Sequence, residues 1–105
     1  MITQAQATRI LFEGKRAVGV EYLRDGQRQV LRCKAEVILA AGAIGSPQLL
    51  QLSGVGAGGL LQQMGIPLVQ ENANVGDHYS DHHGLNYTWR MKVPTYNGML
   101  RPWWG

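Results

Sequence analysis

The chain has 105 residues, 45% of them hydrophobic, and a formal net charge of +3. That content excludes a disordered segment and suits one domain-sized folding unit. Its early basic residues, Arg9, Lys15, Arg16, Arg24, Arg28, Arg32 and Lys34, interleave with Glu13, Glu21, Asp25 and Glu36 and have no aromatic platform, so they read as a solvated sheet surface and not as a nucleic-acid face.

In chain order, residues 7–13 (ATRILFE) and 16–24 (RAVGVEYLR) read as two strands joined by a tight turn at Gly14-Lys15, with Val18, Val20 and Tyr22 on one face by period two. Asp25-Gly26 marks a second turn, because both central residues of the favoured hairpin turn need positive φ. Residues 27–33 (QRQVLRC) then return as a third strand and complete an antiparallel meander. The single cysteine, Cys33, excludes an internal disulfide and takes the place of a small buried apolar residue in that strand.

EVILAAG has a different texture, a short continuous apolar run ending in small residues, as in a strand covered on both faces of a parallel sheet. Ser46-Pro47 reads as a helix entry, with serine as N-cap and proline in the first turn, and Gln48–Ser53 as the helix. Gly54, Gly56, Gly58 and Gly59 break it, LLQQM forms a second short helix, and Gly65 suits its left-handed cap. Residues 66–70 read as a short edge segment, 71–83 as loop, 84–93 (GLNYTWRMKV) as an alternating strand, and 94–105 have no clear periodicity.

No charged side chain stands between Val37 and Gln70, yet Gly, Ser, Gln and Pro interrupt this stretch too often for a membrane span, which needs about 18 consecutive apolar residues. The opening MITQAQATRI lacks the cationic and apolar segments of a secretory signal, and no compartment follows from the chain. A strand, a glycine turn and a helix N-terminus in succession can face an anion, and small side chains let a ligand approach the backbone. The same succession also serves as a tight turn inside any α/β core.

At these residues the chain resembles the glucose-methanol-choline oxidoreductases, flavoproteins that oxidise alcohols with FAD. Gly42, Ser46, Pro47, Leu49, Leu50, Ser53, Gly54 and Gly56 match the pattern of that family's second signature, with RAVGVEY upstream and NVGDHYSDH downstream in matching order. The resemblance runs from about Ile2 to His82. It departs at Tyr79 and Ser80, where the family commonly has an apolar residue and a glutamine before the Asp-His pair.

The resemblance implies an α/β fragment of an FAD-binding domain, containing a β-meander and a parallel strand and leading into an antiparallel substrate-domain strand. Residues 1–76 would belong to the FAD-binding domain and 77–105 would begin the substrate-binding domain. It also implies FAD as cofactor, a small-molecule alcohol as substrate, and oxygen or a quinone as electron acceptor. The implied cofactor-binding residues are Ala7, whose strand backbone would meet the adenine edge, and Ala41 and Gly42, the small residues beside the dinucleotide. No catalytic or metal-binding residue is expected here, since the family's catalytic histidine and its glycine-rich pyrophosphate loop have no counterpart in this sequence. A truncated, non-enzymatic interaction module joining partners through unpaired strands and uncovered apolar faces is the reading from another class.

Other patterns invite different chemistry. Gly54-Val55-Gly56-Ala57-Gly58-Gly59 fits the dinucleotide fingerprint G-x-G-x-x-G, but it follows a helix where that motif must follow a strand. Asp77, His78, Asp81, His82 and His83 resemble a metal cluster, with His78 and His82 on one face if the segment is helical; hydrogen-bonded loop residues are the other reading. Ser46 and Ser53 lie outside a G-x-S-x-G nucleophile motif and read as capping residues. Trp89, Trp103 and Trp104 could line a substrate cavity or pack near a sheet.

Overall fold

The computed structural model describes residues 1–99, so Trp103 and Trp104 lie outside the described residues. Strands β1 (Gln6–Glu13), β2 (Arg16–Arg24) and β3 (Gln27–Arg32) form an antiparallel sheet in the order β1-β2-β3. The turn between β2 and β3 has Asp25 at φ 51° and Gly26 at φ 75°, the pair of left-handed residues that matches the twist of the flanking strands.

The β1–β2 ladder is interrupted twice. Ala7 faces Tyr22 and Arg9 faces Glu21, which leaves Thr8 as an extra residue; Val18 is the extra residue of a second irregularity. The Thr8 hydroxyl lies 3.1 Å from the Glu21 carbonyl and 2.8 Å from Glu21 Oε1. Arg9 Nη2 and Arg28 Nη1 each donate to the same carboxylate at 3.1 Å. Glu21 is buried, and these partners satisfy a charge that would otherwise be costly there.

Beyond the meander, helix α1 spans Gly42–Leu52, and Val55–Gly56 forms β4. Helix α2 spans Gly58–Gln63, and Gln70–Glu71 forms β5, which pairs parallel with β4. Gly65 closes α2 at φ 69°, with the Ile66 N–H donating to the Leu61 carbonyl at 2.9 Å and the Gly65 N–H to Gln62 at 3.1 Å. A last short helix, α3, covers Tyr96–Met99. The mixed α/β class holds.

Three local expectations are corrected. Residues 36–40, read as a parallel strand, are not in a ladder, and the parallel pairing lies instead between β4 and β5. Residues 84–93 are likewise unpaired and exposed. In both, apolar texture or alternation prepares a face for burial, while a strand also needs a neighbour to take its backbone hydrogen bonds, and none of the described residues supplies one. Helix α1 begins at Gly42, so Ser46 is not its N-cap and Pro47 lies inside the helix. Ser46 Oγ accepts from the Ala41 N–H at 3.1 Å, bracing the entry from within the first turns. Pro47 leaves the Ala43 carbonyl without its usual donor four residues on.

α1 packs against β1. Among the described residues the buried hydrophobic side chains are Ile10 and Leu61, while Ile38 and Ile44 remain 79% and 70% exposed. The described residues thus bury little of their apolar surface against one another.

Candidate functional site

The three expected cofactor contacts fall on two elements. Ala7 lies on β1, which has β2 on one side only, so part of its backbone belongs to a sheet edge. Ala41 is the N-cap of α1 and Gly42 its first residue. No hydrogen bond joins Ala7 to Ala41 or Gly42 among the described residues.

The start of α1 is bare in two senses. Its first turn has no acidic residue and no side-chain cap, and among the main-chain N–H donors at its start the one on Ala41 is taken by Ser46 Oγ. Gly42 sits at φ 81°, and a Cβ built on it would meet nothing within 4 Å. Ala40, Ala41, Gly42 and Ala43 are all exposed and uncharged. An anionic dinucleotide fits this surface: the open space admits a ligand to the backbone, and no carboxylate opposes its charge.

Beside this turn a cleft of about 690 Å³ runs between α1 and the segment 74–80. Ala43, Ile44, Pro47, Gln48 and Gln51 line it from the helix, and Asn74, Val75, Gly76, Asp77, His78, Tyr79 and Ser80 line it from the loop. One wall is free of charge and the other carries Asp77 and His78. The loop hydrogen-bonds to itself: the His78 N–H donates to Asp77 Oδ1 at 2.7 Å, and the His82 N–H to Asp81 Oδ1 at 2.7 Å. Residues 77–83 are not helical, so His78 and His82 do not share a helix face. The hydrogen-bonded loop reading accounts for this segment.

The glycine fingerprint also resolves in physical terms. Gly54 sits at φ 89°, where a Cβ would run into the Pro67 carbonyl and the Val69 side chain, and its own carbonyl accepts from the Val69 N–H at 2.8 Å. The Gly58 N–H at the start of α2 donates to both oxygens of Glu71, at 3.0 and 2.9 Å. A carboxylate of this chain therefore holds the place a phosphate would need.

Two residues organise the site through contacts that sequence reasoning missed. Ser53, buried at 7% exposure, accepts from the Ile10 N–H at 2.7 Å and thereby ties the end of α1 to β1. Gln51 Nε2 donates to the Val75 carbonyl at 3.1 Å, tying α1 to the far wall of the cleft. The serine stands out in the sequence as a capping residue; the glutamine carries no local signal, because its partner is 24 residues away.

Comparison with known proteins adds the family. The profile of the GMC oxidoreductases matches residues 1–86. Over 104 residues the chain is 43% identical to the oxygen-dependent choline dehydrogenase of Burkholderia vietnamiensis, a match that covers 99% of this chain and 18% of that protein. The chain thus spans under a fifth of the length of the curated relatives it matches. Among solved structures, an FAD-dependent oxidoreductase from Chaetomium thermophilum superposes with a TM-score of 0.67 at 36% identity, covering 70% of this chain and 13% of that one. Formate oxidase from Aspergillus oryzae gives 0.61 at 28% identity, covering 63% and 12%.

Proposed function

The chain belongs to the GMC oxidoreductase family, and on that premise we propose that it forms part of the cofactor wall of an FAD-dependent enzyme that oxidises the CH–OH group of a small alcohol. In this reading residues 1–76 are part of the FAD-binding domain and residues 77–105 begin the substrate-binding domain. The supporting observation is the exposed, uncharged turn at Ala41 and Gly42, with open space over the Gly42 backbone, within the segment that matches the family. FAD supplies the hydride acceptor when bound. The residues here bind and orient: the Ala7 backbone takes the adenine edge, and the main chain of Ala41 and Gly42 lies against the dinucleotide. Small side chains at 41 and 42 keep that approach open, and the uncharged stretch from Val37 to Gln70 sets no like charge against the phosphates.

The base that takes the alcohol proton stands outside these residues, and the 105-residue chain by itself turns over no alcohol. FAD titration of the polypeptide that carries these residues, followed by flavin fluorescence, tests the reading. Ala41→Leu should lower FAD affinity by at least about ten-fold, because a bulky side chain at φ −89° adds volume without backbone strain. Unchanged affinity would remove Ala41 from the wall.

The second reading is a non-enzymatic interaction module, favoured by the exposed apolar side chains of Ile38, Ile44 and Met64. No helix among the described residues is long and apolar enough to cross a membrane. FAD uptake separates the two readings, since an interaction module has no use for the cofactor.

A further inference from the structure

The cleft, whose helix wall begins at Ala43 next to Gly42, has its other wall on an irregular loop, so something must hold the loop at its distance. Among the described residues, one hydrogen bond joins α1 to residues 72–80: Gln51 Nε2 to the Val75 carbonyl, at 3.1 Å. The glutamine is also wedged sterically. A Cβ built on Gly56 would come within 3.2 Å of Gln51 Cγ, and one on Gly76 within 2.5 Å of Gln51 Nε2. Gly76 sits at φ 84°, a conformation that L side chains rarely adopt, so the backbone turns tightly at the point where the amide presses on it. Gln51, Val75 and Gly76 all line the cleft.

Resting on the flavin reading above, we infer that Gln51 is a positioning residue that sets the separation between α1 and residues 75–80, and with it the width of the cleft next to the cofactor-facing turn. Its amide anchors the loop just before Asp77, His78 and Tyr79, whose own hydrogen bonds among the described residues stay within the loop itself. Removing the anchor frees that wall without opening a core cavity, because Gln51 is half-buried and its amide meets the loop at the surface of the cleft.

The test uses the polypeptide that carries these residues, with FAD as the probe. Gln51→Met keeps the volume and removes the donor. It should lower FAD affinity about 3- to 10-fold, the range expected for one hydrogen bond, and leave the cofactor-free melting temperature within about 2 °C of wild type. In the cofactor-free protein, hydrogen exchange over residues 75–80 should be at least about three-fold faster. Gly76→Ala should weaken FAD binding more in the wild-type background than in Gln51→Ala, because truncation removes the amide that the new methyl group meets. Wild-type FAD affinity in Gln51→Met, or equal effects of Gly76→Ala in both backgrounds, overturns the inference. A wild-type polypeptide that takes up no FAD overturns the flavin reading itself, and the inference with it.

Discussion

The hydroxyl of Ser53 accepts the backbone N–H of Ile10 at 2.7 Å and donates its own proton to the Leu49 carbonyl at 2.5 Å. One side chain thus closes the end of α1 and occupies a donor on the edge of β1, across 43 residues of chain. It also marks where the edge strand is taken by protein, three residues from the Ala7 backbone proposed for the adenine.

Ser53→Ala should therefore cost about 1–3 kcal/mol, because it leaves the buried Ile10 N–H without a partner. Urea unfolding would register this as a lower midpoint with an unchanged slope. A loss under about 0.3 kcal/mol would mean that the contact is not made.

The glycines of the apparent fingerprint should respond unequally. Gly54→Ala meets the Pro67 carbonyl and Val69 at φ 89° and should destabilise by at least about 2 kcal/mol. Gly59→Ala meets nothing within 4 Å and lies in α2, so it should be neutral or stabilise by up to about 1 kcal/mol. A phosphate-binding loop would instead show both substitutions through lost ligand affinity. Thermal unfolding without ligand, set beside FAD titration of each variant, distinguishes the two patterns.

Glu21 predicts an acid dependence. The hydrogen bond from the Thr8 hydroxyl is the largest cause holding its carboxyl below the ordinary carboxylate range; burial works against this, and the Arg9 and Arg28 guanidinium groups add to it. With the folded value depressed, the contribution to stability is fully present above the unfolded value of about 4.3 and is lost as pH falls through the folded value. Glu21→Gln should flatten the acid limb of a stability-against-pH curve and leave the slope near neutrality unchanged. An acid limb as steep as wild type would sink this assignment.

The legible parts of the fold are those that depend on neighbours in sequence. Strand β2 falls on Arg16–Arg24 as read, and the Asp25-Gly26 turn takes its two positive φ values, because period-two alternation and turn chemistry are properties of a few consecutive residues. The start of α1 was less legible. Ser-Pro carries a helix-entry signal, but Ser46 serves the Ala41 N–H from four residues inside the helix, a geometry that spacing alone does not separate from an N-cap. The runs at 36–40 and 84–93 depart from the strands expected of them for one reason: their side-chain pattern announces burial, while pairing depends on which other strand lies alongside.

By itself the sequence determined the meander, the helices around the glycines, the uncharged surface and the family pattern, since each is written in local residue order and composition. Tertiary structure alone decided that Ser53 would hold Ile10, that Glu71 would fill the mouth of α2, and that Gln51 would brace Val75. Those contacts join residues 13 to 43 positions apart, and a hydrogen bond requires a particular distance and direction that no pattern along the chain encodes.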